Sequence, residues 1–320
     1  MPQWSLAPLA LAALLVVSPP PAAQPPPTQP PPAQQQPTFR GGVDLVTVDV
    51  SVSRSGEHVE GLLARNFDVF DNGVRQKIDK VTTEQVPIDA YLVFDVSGSI
   101  AGEKLAELKR ASKAFVDGLT ALDQVALITF SKDTKIQQPL THDFGLFERS
   151  LSEITAGGQT ALFDATARTI ALRQHNERRA VVLILTDQHD NASETREKEA
   201  VDAAERSDVI AYGVLAEEAA AAPNFGGMGG GGFRAPQMQF QLGFLRSLAD
   251  ATGGRVFRVN PRLPMEEVFG MVLDDARTRY VITYMPDKTA PGWHKLQVKL
   301  VDAKGDVVAR RGYMVAKPSR

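Results

Sequence analysis

From residue 43 the chain alternates. Val46, Val48, Val50 and Val52 are separated by Thr47, Asp49 and Ser51, a period of two that predicts a strand with one buried face. "FDVFDNGVRQKI" then places two short strands around Asp71-Asn72-Gly73, a strong hairpin signal. At residue 88 the pattern changes. "AYLVFD", "QVALITFS", "AVVLILT", "VIAYGVL" and "RVFRV" are continuous apolar runs, with "TKIQQPL" as a short edge strand. Between them lie segments of helical period such as "EKLAELKRASKAFVDGL", "FGLFERSLSEI", "ALFDATARTIALRQH", "SETREKEAVDAAERS" and "MEEVFGMVLDDAR". A further helix near "LGFLRSLADATG" ends in glycines, as helices commonly do. Strands without alternation, separated by helices, imply a mostly parallel sheet covered on both faces, a doubly wound α/β domain. After residue 277 the helices stop, and "YVITYMP", "WHKLQVKLVD" and "VVARRGYMV" predict strands again.

The two outer β segments are each too short to stand alone, since isolated hairpins are marginal in water. They are expected to pair into one small β-sandwich with the α/β domain inserted between them, because the termini of a compact domain tend to lie close together. The expected organisation is a leader at 1–23, a linker at 24–38, an N-terminal β segment at 39–87, the α/β domain at 88–276 and a C-terminal β segment at 277–320.

The leader expectation comes from "LAPLALAALLVV", an apolar run too short to span a bilayer, followed by Ala22-Ala23. It reads as a secretory signal, which predicts a periplasmic or secreted protein with no integral span after cleavage. The Pro/Gln-rich stretch that follows has polyproline character and serves as a tether. Composition narrows the chemistry further. A formal net charge of −3 over 320 residues gives no electrostatic reason to expect nucleic acid or an anionic membrane. With no cysteine, disulfides, thiolate metal sites and cysteine nucleophiles are impossible.

Candidate chemistry gathers where strands end. In an open parallel sheet, ligands bind beyond the carboxyl ends of the strands. Asp95 ends the first such strand in "YLVFDVSGSI", with Ser97 and Ser99 just after it. Asp187 follows another in "LILTDQHDN", and glycines precede Thr160 in "TAGGQTALFDA". Two carboxylates and three hydroxyls make an all-oxygen donor set that suits Mg²⁺, with Mn²⁺ or Ca²⁺ as substitutes, and argues against zinc or copper. Gly98 is expected to let both serines face one point. The other use for "DVSGS" is a helix N-cap turn, for which Asp and Ser are favoured.

The constellation resembles the von Willebrand factor type A domain and its metal-ion-dependent adhesion site. "DVSGS" matches D-x-S-x-S, "GGQTAL" supplies the threonine and "LTDQHD" the second aspartate, with Gln188 where the family usually has glycine. The flanking β segments look like those of an exported bacterial family built around such a domain. The resemblance implies direct metal contacts from Ser97, Ser99 and Thr160, with Asp95 and Asp187 acting largely through water. It also implies a protein partner that presents an aspartate or glutamate to the metal.

A metal ringed by few carboxylates stays electron-poor and open to an outside anion, which favours adhesion-type binding. The alternatives are a scaffold with a purely stabilising metal and a metal-dependent hydrolase. No G-x-S-x-G elbow occurs, and no general base stands out beside the donor set, so a non-enzymatic protein is expected. His58, His142, His175, His189 and His294 are scattered; His189 could touch a partner or sit in solvent. Asp164 and Asp190 read as helix-start or supporting groups. The glycine-rich stretch 224–239 has no phosphate-binding spacing and reads as a surface insertion.

Overall fold

The computed structural model describes residues 45–83, 85–174, 176–187, 190–216, 236–286 and 290–316. The expected leader and linker lie outside the described residues, as do His175, Gln188, His189 and the glycine-rich stretch up to residue 235. Five strands come first: β1 (Val46–Arg54), β2 (Glu57–His58), β3 (Phe67–Asp71), β4 (Val74–Gln76) and β5 (Ile78–Thr82). The α/β unit follows as β6 (Ile88–Asp95), α1 (Glu103–Asp117), β7 (Gln124–Phe130), β8 (Thr134–Thr141), α2 (Phe144–Glu153), α3 (Leu162–Ala171), β9 (Arg179–Thr186), α4 (Glu197–Glu205), β10 (Ile210–Ala216), α5 (Pro236–Thr252), β11 (Val256–Val259) and α6 (Met265–Arg277). Last come β12 (Tyr280–Tyr284), β13 (Gly292–Leu300), β14 (Asp306–Ala309) and β15 (Gly312–Val315). Helix α5 begins earlier than its periodicity predicts and takes in the last residues of the glycine-rich stretch, 236–239.

The central sheet runs β11-β10-β9-β6-β7-β8, parallel except for the edge strand β8. Every residue of β6 and of β9 is buried, which is why these strands read as unbroken apolar runs. Alternate β6 side chains serve opposite faces. Leu92 and Phe94 pack with Leu108 of α1 and Phe269 of α6, while Tyr91 and Val93 pack with Ala165 of α3 and Leu248 of α5.

The strands before and after this unit pair with one another. One sheet has the order β14-β1-β12-β5, with β2 beside β1, and the other β15-β13-β3-β4. The two share one apolar core, built from the β1 valines, Phe67, Val69, Tyr280, Ile282 and Tyr284. Asn72 and Gly73 both take positive φ (49° and 81°), the geometry of the two-residue turn that joins β3 and β4. Asp71 is buried in this core and accepts hydrogen bonds from Tyr313 Oη (2.7 Å), His294 Nδ1 (2.9 Å) and Tyr284 Oη (3.1 Å).

Two expected strands are each split between the sheets. The run after the Asn72-Gly73 turn breaks at Lys77 into β4 and β5, and "VVARRGYMV" breaks at Arg310-Arg311 into β14 and β15. Chain that changes sheet at a corner breaks its ladder there, and hydrophobic alternation does not mark such a corner.

The polar face of β1 also departs from a simple solvent-facing reading. Asp49 pairs with Arg179 of β9. Ser51 Oγ donates to Asp275 Oδ1 of α6 at 2.6 Å, and Arg255 Nη2 donates to Ser51 and Ser53, both at 3.0 Å. This face is the junction with the α/β unit. Arg279 is wholly buried there, 2.7 Å from Asp275, and Tyr212 Oη donates to the same carboxylate at 2.5 Å. Burial pushes the Asp275 carboxyl up, but Arg279, the Ser51 and Tyr212 hydroxyls and Arg255 outweigh it and hold it well below the usual carboxylate range.

Candidate metal centre

In the chain's path through the sheet, β7 lies on one side of β6 and β9 on the other, so the carboxyl ends of β6 and β9 flank the topological switch point. Asp95 is the last residue of β6, Thr186 is the last residue of β9, and Asp187 follows it directly. Asp95 is fully buried. Its Oδ1 accepts the Ser97 amide at 2.8 Å, and its Oδ2 accepts the Thr186 hydroxyl at 2.6 Å. Burial pushes its pKa up to about 6; the bonds from Ser97 and Thr186 pull against this, and the nearby Asp187 charge adds to it.

From Asp95 the chain of polar contacts continues outward. Ser97 Oγ and Ser99 Oγ are 3.2 Å apart, and Ser99 Oγ donates to Asp187 Oδ1 at 2.6 Å. Lys104 Nζ donates to the other Asp187 oxygen at 2.7 Å. Four of the five expected residues are thus joined by direct hydrogen bonds.

Thr160 reaches the same crevice through its backbone. Gly157 N–H donates to Val96 O (2.7 Å) and Gly98 N–H to Gly158 O (3.2 Å), stitching the two loops together. Asn191, just past β9, accepts the Thr160 amide on Oδ1 and donates its own amide to Thr160 O, both at 2.9 Å. The Thr160 side chain has no such partner. Its Oγ1 is buried and makes no hydrogen bond among the described residues.

Asp164 and Asp190 hold loops together. Asp164 accepts the amides of Glu194 and Thr195, and Asp190 accepts the amides of Phe163 and Ser193 and the Ser193 hydroxyl. The described histidines are engaged elsewhere: His58 stacks on Tyr280, His142 contacts Gln124 and the Asp123 carbonyl, and His294 binds Asp71.

Two local expectations are settled by this geometry. Gly98 is not needed for the turn: its φ is not positive, and a Cβ there would meet open space. The glycines with that role are Gly102 (φ 73°), immediately before α1, and Gly158 (φ 102°), where a Cβ would also lie 3.2 Å from Ser131 Oγ. The serine hydroxyls do not cap a helix either. Ser97 precedes the single 3₁₀ turn Gly98–Ile100 without a side-chain capping bond, and α1 starts later, after Gly102.

A buried hydroxyl with no partner is costly unless something outside the protein completes it. Thr160 Oγ1 is such a group, in a crevice whose other donors are all oxygens. The residues present therefore fit a hard divalent cation, for which neutral hydroxyls and carboxylates are suitable ligands. Among the described residues no group of three or more His, Asp or Glu side chains is arranged to hold a metal. Reading the sequence missed Thr186, Lys104 and Asn191. Only Thr186, the residue before Asp187 at a buried strand end, had a positional signal.

Residues 89–230 match the sequence model of the von Willebrand factor type A domain. A comparison with curated proteins finds no match. Among solved structures, a von Willebrand factor type A protein from Catenulispora acidiphila is 14% identical, covering 82% of this chain and 76% of its own, with a TM-score of 0.49. An aerotolerance-related membrane protein from Bacteroides fragilis is 18% identical, covering 59% of this chain and 98% of its own, with a TM-score of 0.45. BatB from Bacteroides thetaiotaomicron is 19% identical, covering 59% and 99%, with a TM-score of 0.45.

Proposed function

We propose that this chain, whose residues 89–230 match the von Willebrand factor type A domain, is an exported, non-enzymatic module that binds a protein partner through a divalent cation. Ser97, Ser99 and Thr160 would hold the cation directly, with Asp95 and Asp187 acting through water. Mg²⁺ suits the donor set, with Mn²⁺ or Ca²⁺ able to substitute. When bound, the cation supplies an open position of residual positive charge that a partner's aspartate or glutamate completes.

The protein's own residues prepare that position. Thr186 and the Ser97 amide fix the Asp95 carboxylate, Asn191 fixes the Thr160 backbone, and Ser99 is held by Asp187. The observation that carries the reading is the buried Thr160 hydroxyl with no partner among the described residues. The location rests on the apolar leader pattern of residues 1–23. No helix among the described residues is long and apolar enough to cross a membrane.

The test is capture of a partner from an envelope extract in Mg²⁺ and in EDTA, using wild type and Thr160→Ala. Capture should require both Mg²⁺ and Thr160, with the variant as thermally stable as wild type in EDTA. Capture that survives both changes would move the contact surface away from this crevice.

A further inference from the structure

The Asp187 carboxylate is only 3% exposed and already has a cation beside it. Lys104 Nζ lies 2.7 Å from Oδ2, and the lysine side chain is itself only 26% exposed. Among the described residues Lys104 is the sole ion-pair partner of Asp187.

Its position is unfavourable on local grounds. Lys104 is the second residue of α1, where the partial positive charge of a helix N-terminus disfavours a cation. The acidic residue next to it does not compensate, because Glu103 turns outward to Arg110. The lysines further along α1 go elsewhere, Lys109 to the carbonyls of Ser152 and Ile154, and Lys113 to Asp117 and Glu148. The ion pair with Asp187 is what Lys104 gains at this place.

Charge balance gives it a role. Asp95 and Asp187 together carry two negative charges, formally equal to the charge of a divalent cation, which reduces the pull on a partner's carboxylate. Lys104 adds one positive charge in the layer around them. We infer that Lys104 is a resident counter-cation of the crevice: it shares Asp187 with the metal, weakens the metal's hold, and keeps the filled site net positive. This rests on the proposed cation site and adds to it a residue that tunes affinity. Ser99 keeps the other Asp187 oxygen, so the two oxygens of one carboxylate serve two different neighbours.

The test is calorimetric titration of Mg²⁺ into wild type, Lys104→Met and Lys104→Arg, with melting temperatures of each in EDTA and in saturating Mg²⁺. Methionine keeps the apolar stem and removes the charge; arginine keeps the charge. Lys104→Met should bind Mg²⁺ about tenfold tighter, equivalent to about 1.4 kcal/mol, and Lys104→Arg should stay close to wild type. In EDTA Lys104→Met should melt below wild type, because Asp187 is left buried without a counter-charge. That gap should close in saturating Mg²⁺.

A purely structural ion pair predicts otherwise: unchanged Mg²⁺ affinity and the same melting deficit in both conditions. That result would overturn the inference while leaving the cation site standing. Absence of Mg²⁺ binding in all three proteins would overturn the cation site, and the role of Lys104 with it.

Discussion

Asp95 is fully buried, yet each of its oxygens has a donor, one from the Ser97 amide and one from the Thr186 hydroxyl. Removing the second donor without changing shape tests its worth. Thr186→Val should cost about 1–3 kcal/mol, the penalty for leaving a buried acceptor unpaired. Equilibrium denaturation in EDTA measures it, and a loss near zero would mean that solvent replaces the hydroxyl. That Asp95, Ser97, Ser99, Thr160 and Asp187 would meet at one crevice was legible, because strand ends and oxygen-bearing side chains are both written in the sequence. Their supports were not. Nothing in the local sequence says that Lys104, on a surface helix, reaches back across the crevice to Asp187, or that the Asn191 side chain accepts the Thr160 amide. Gly98 shows the opposite error: a glycine inside a motif suggested a backbone need that the φ angle does not have.

Among the elements, most of the α/β unit follows directly from periodicity, because strands buried on both faces and amphipathic helices leave different patterns. The flanking strands were harder. Chain that changes sheet at Lys77 and at Arg310-Arg311 keeps a strand-like composition through the corner, so one run reads as one strand. The polar face of β1 was also opaque, since Asp49 and Ser51 look solvent-facing until Arg179, Arg255 and Asp275 are placed against them. Those contacts make a second prediction. Asp275→Asn keeps the size but leaves Arg279 and Arg255 without their carboxylate, and should destabilise the protein by about 3–5 kcal/mol. The carboxyl of Asp275 is depressed in the folded state, so its contribution is present above the unfolded value of about 4 and is lost as pH falls below it. The gap between wild type and variant, followed by denaturant melts across acid pH, should therefore narrow towards low pH. A gap that is constant with pH would contradict this assignment.

Over the whole molecule, β12 lies between β1 and β5, β13 beside β3 and β14 beside β1, so three of the last four strands pair with strands from the start of the sequence. We propose that the two β segments fold as one unit around the α/β domain. Deleting residues 39–87 should leave β12 and β13 with open edges, and limited proteolysis should then cut within residues 277–320. Protection of that segment in the deletion variant would show that it folds alone. The central claim, however, concerns what the crevice between β6 and β9 holds. The most direct measurement is anomalous diffraction from crystals grown with Mn²⁺, a substitute for Mg²⁺ that can be located by its own scattering. The account predicts an anomalous peak bounded by the hydroxyls of Ser97, Ser99 and Thr160 that disappears in Asp95→Ala. A peak elsewhere, or none in crystals saturated with Mn²⁺, would contradict it.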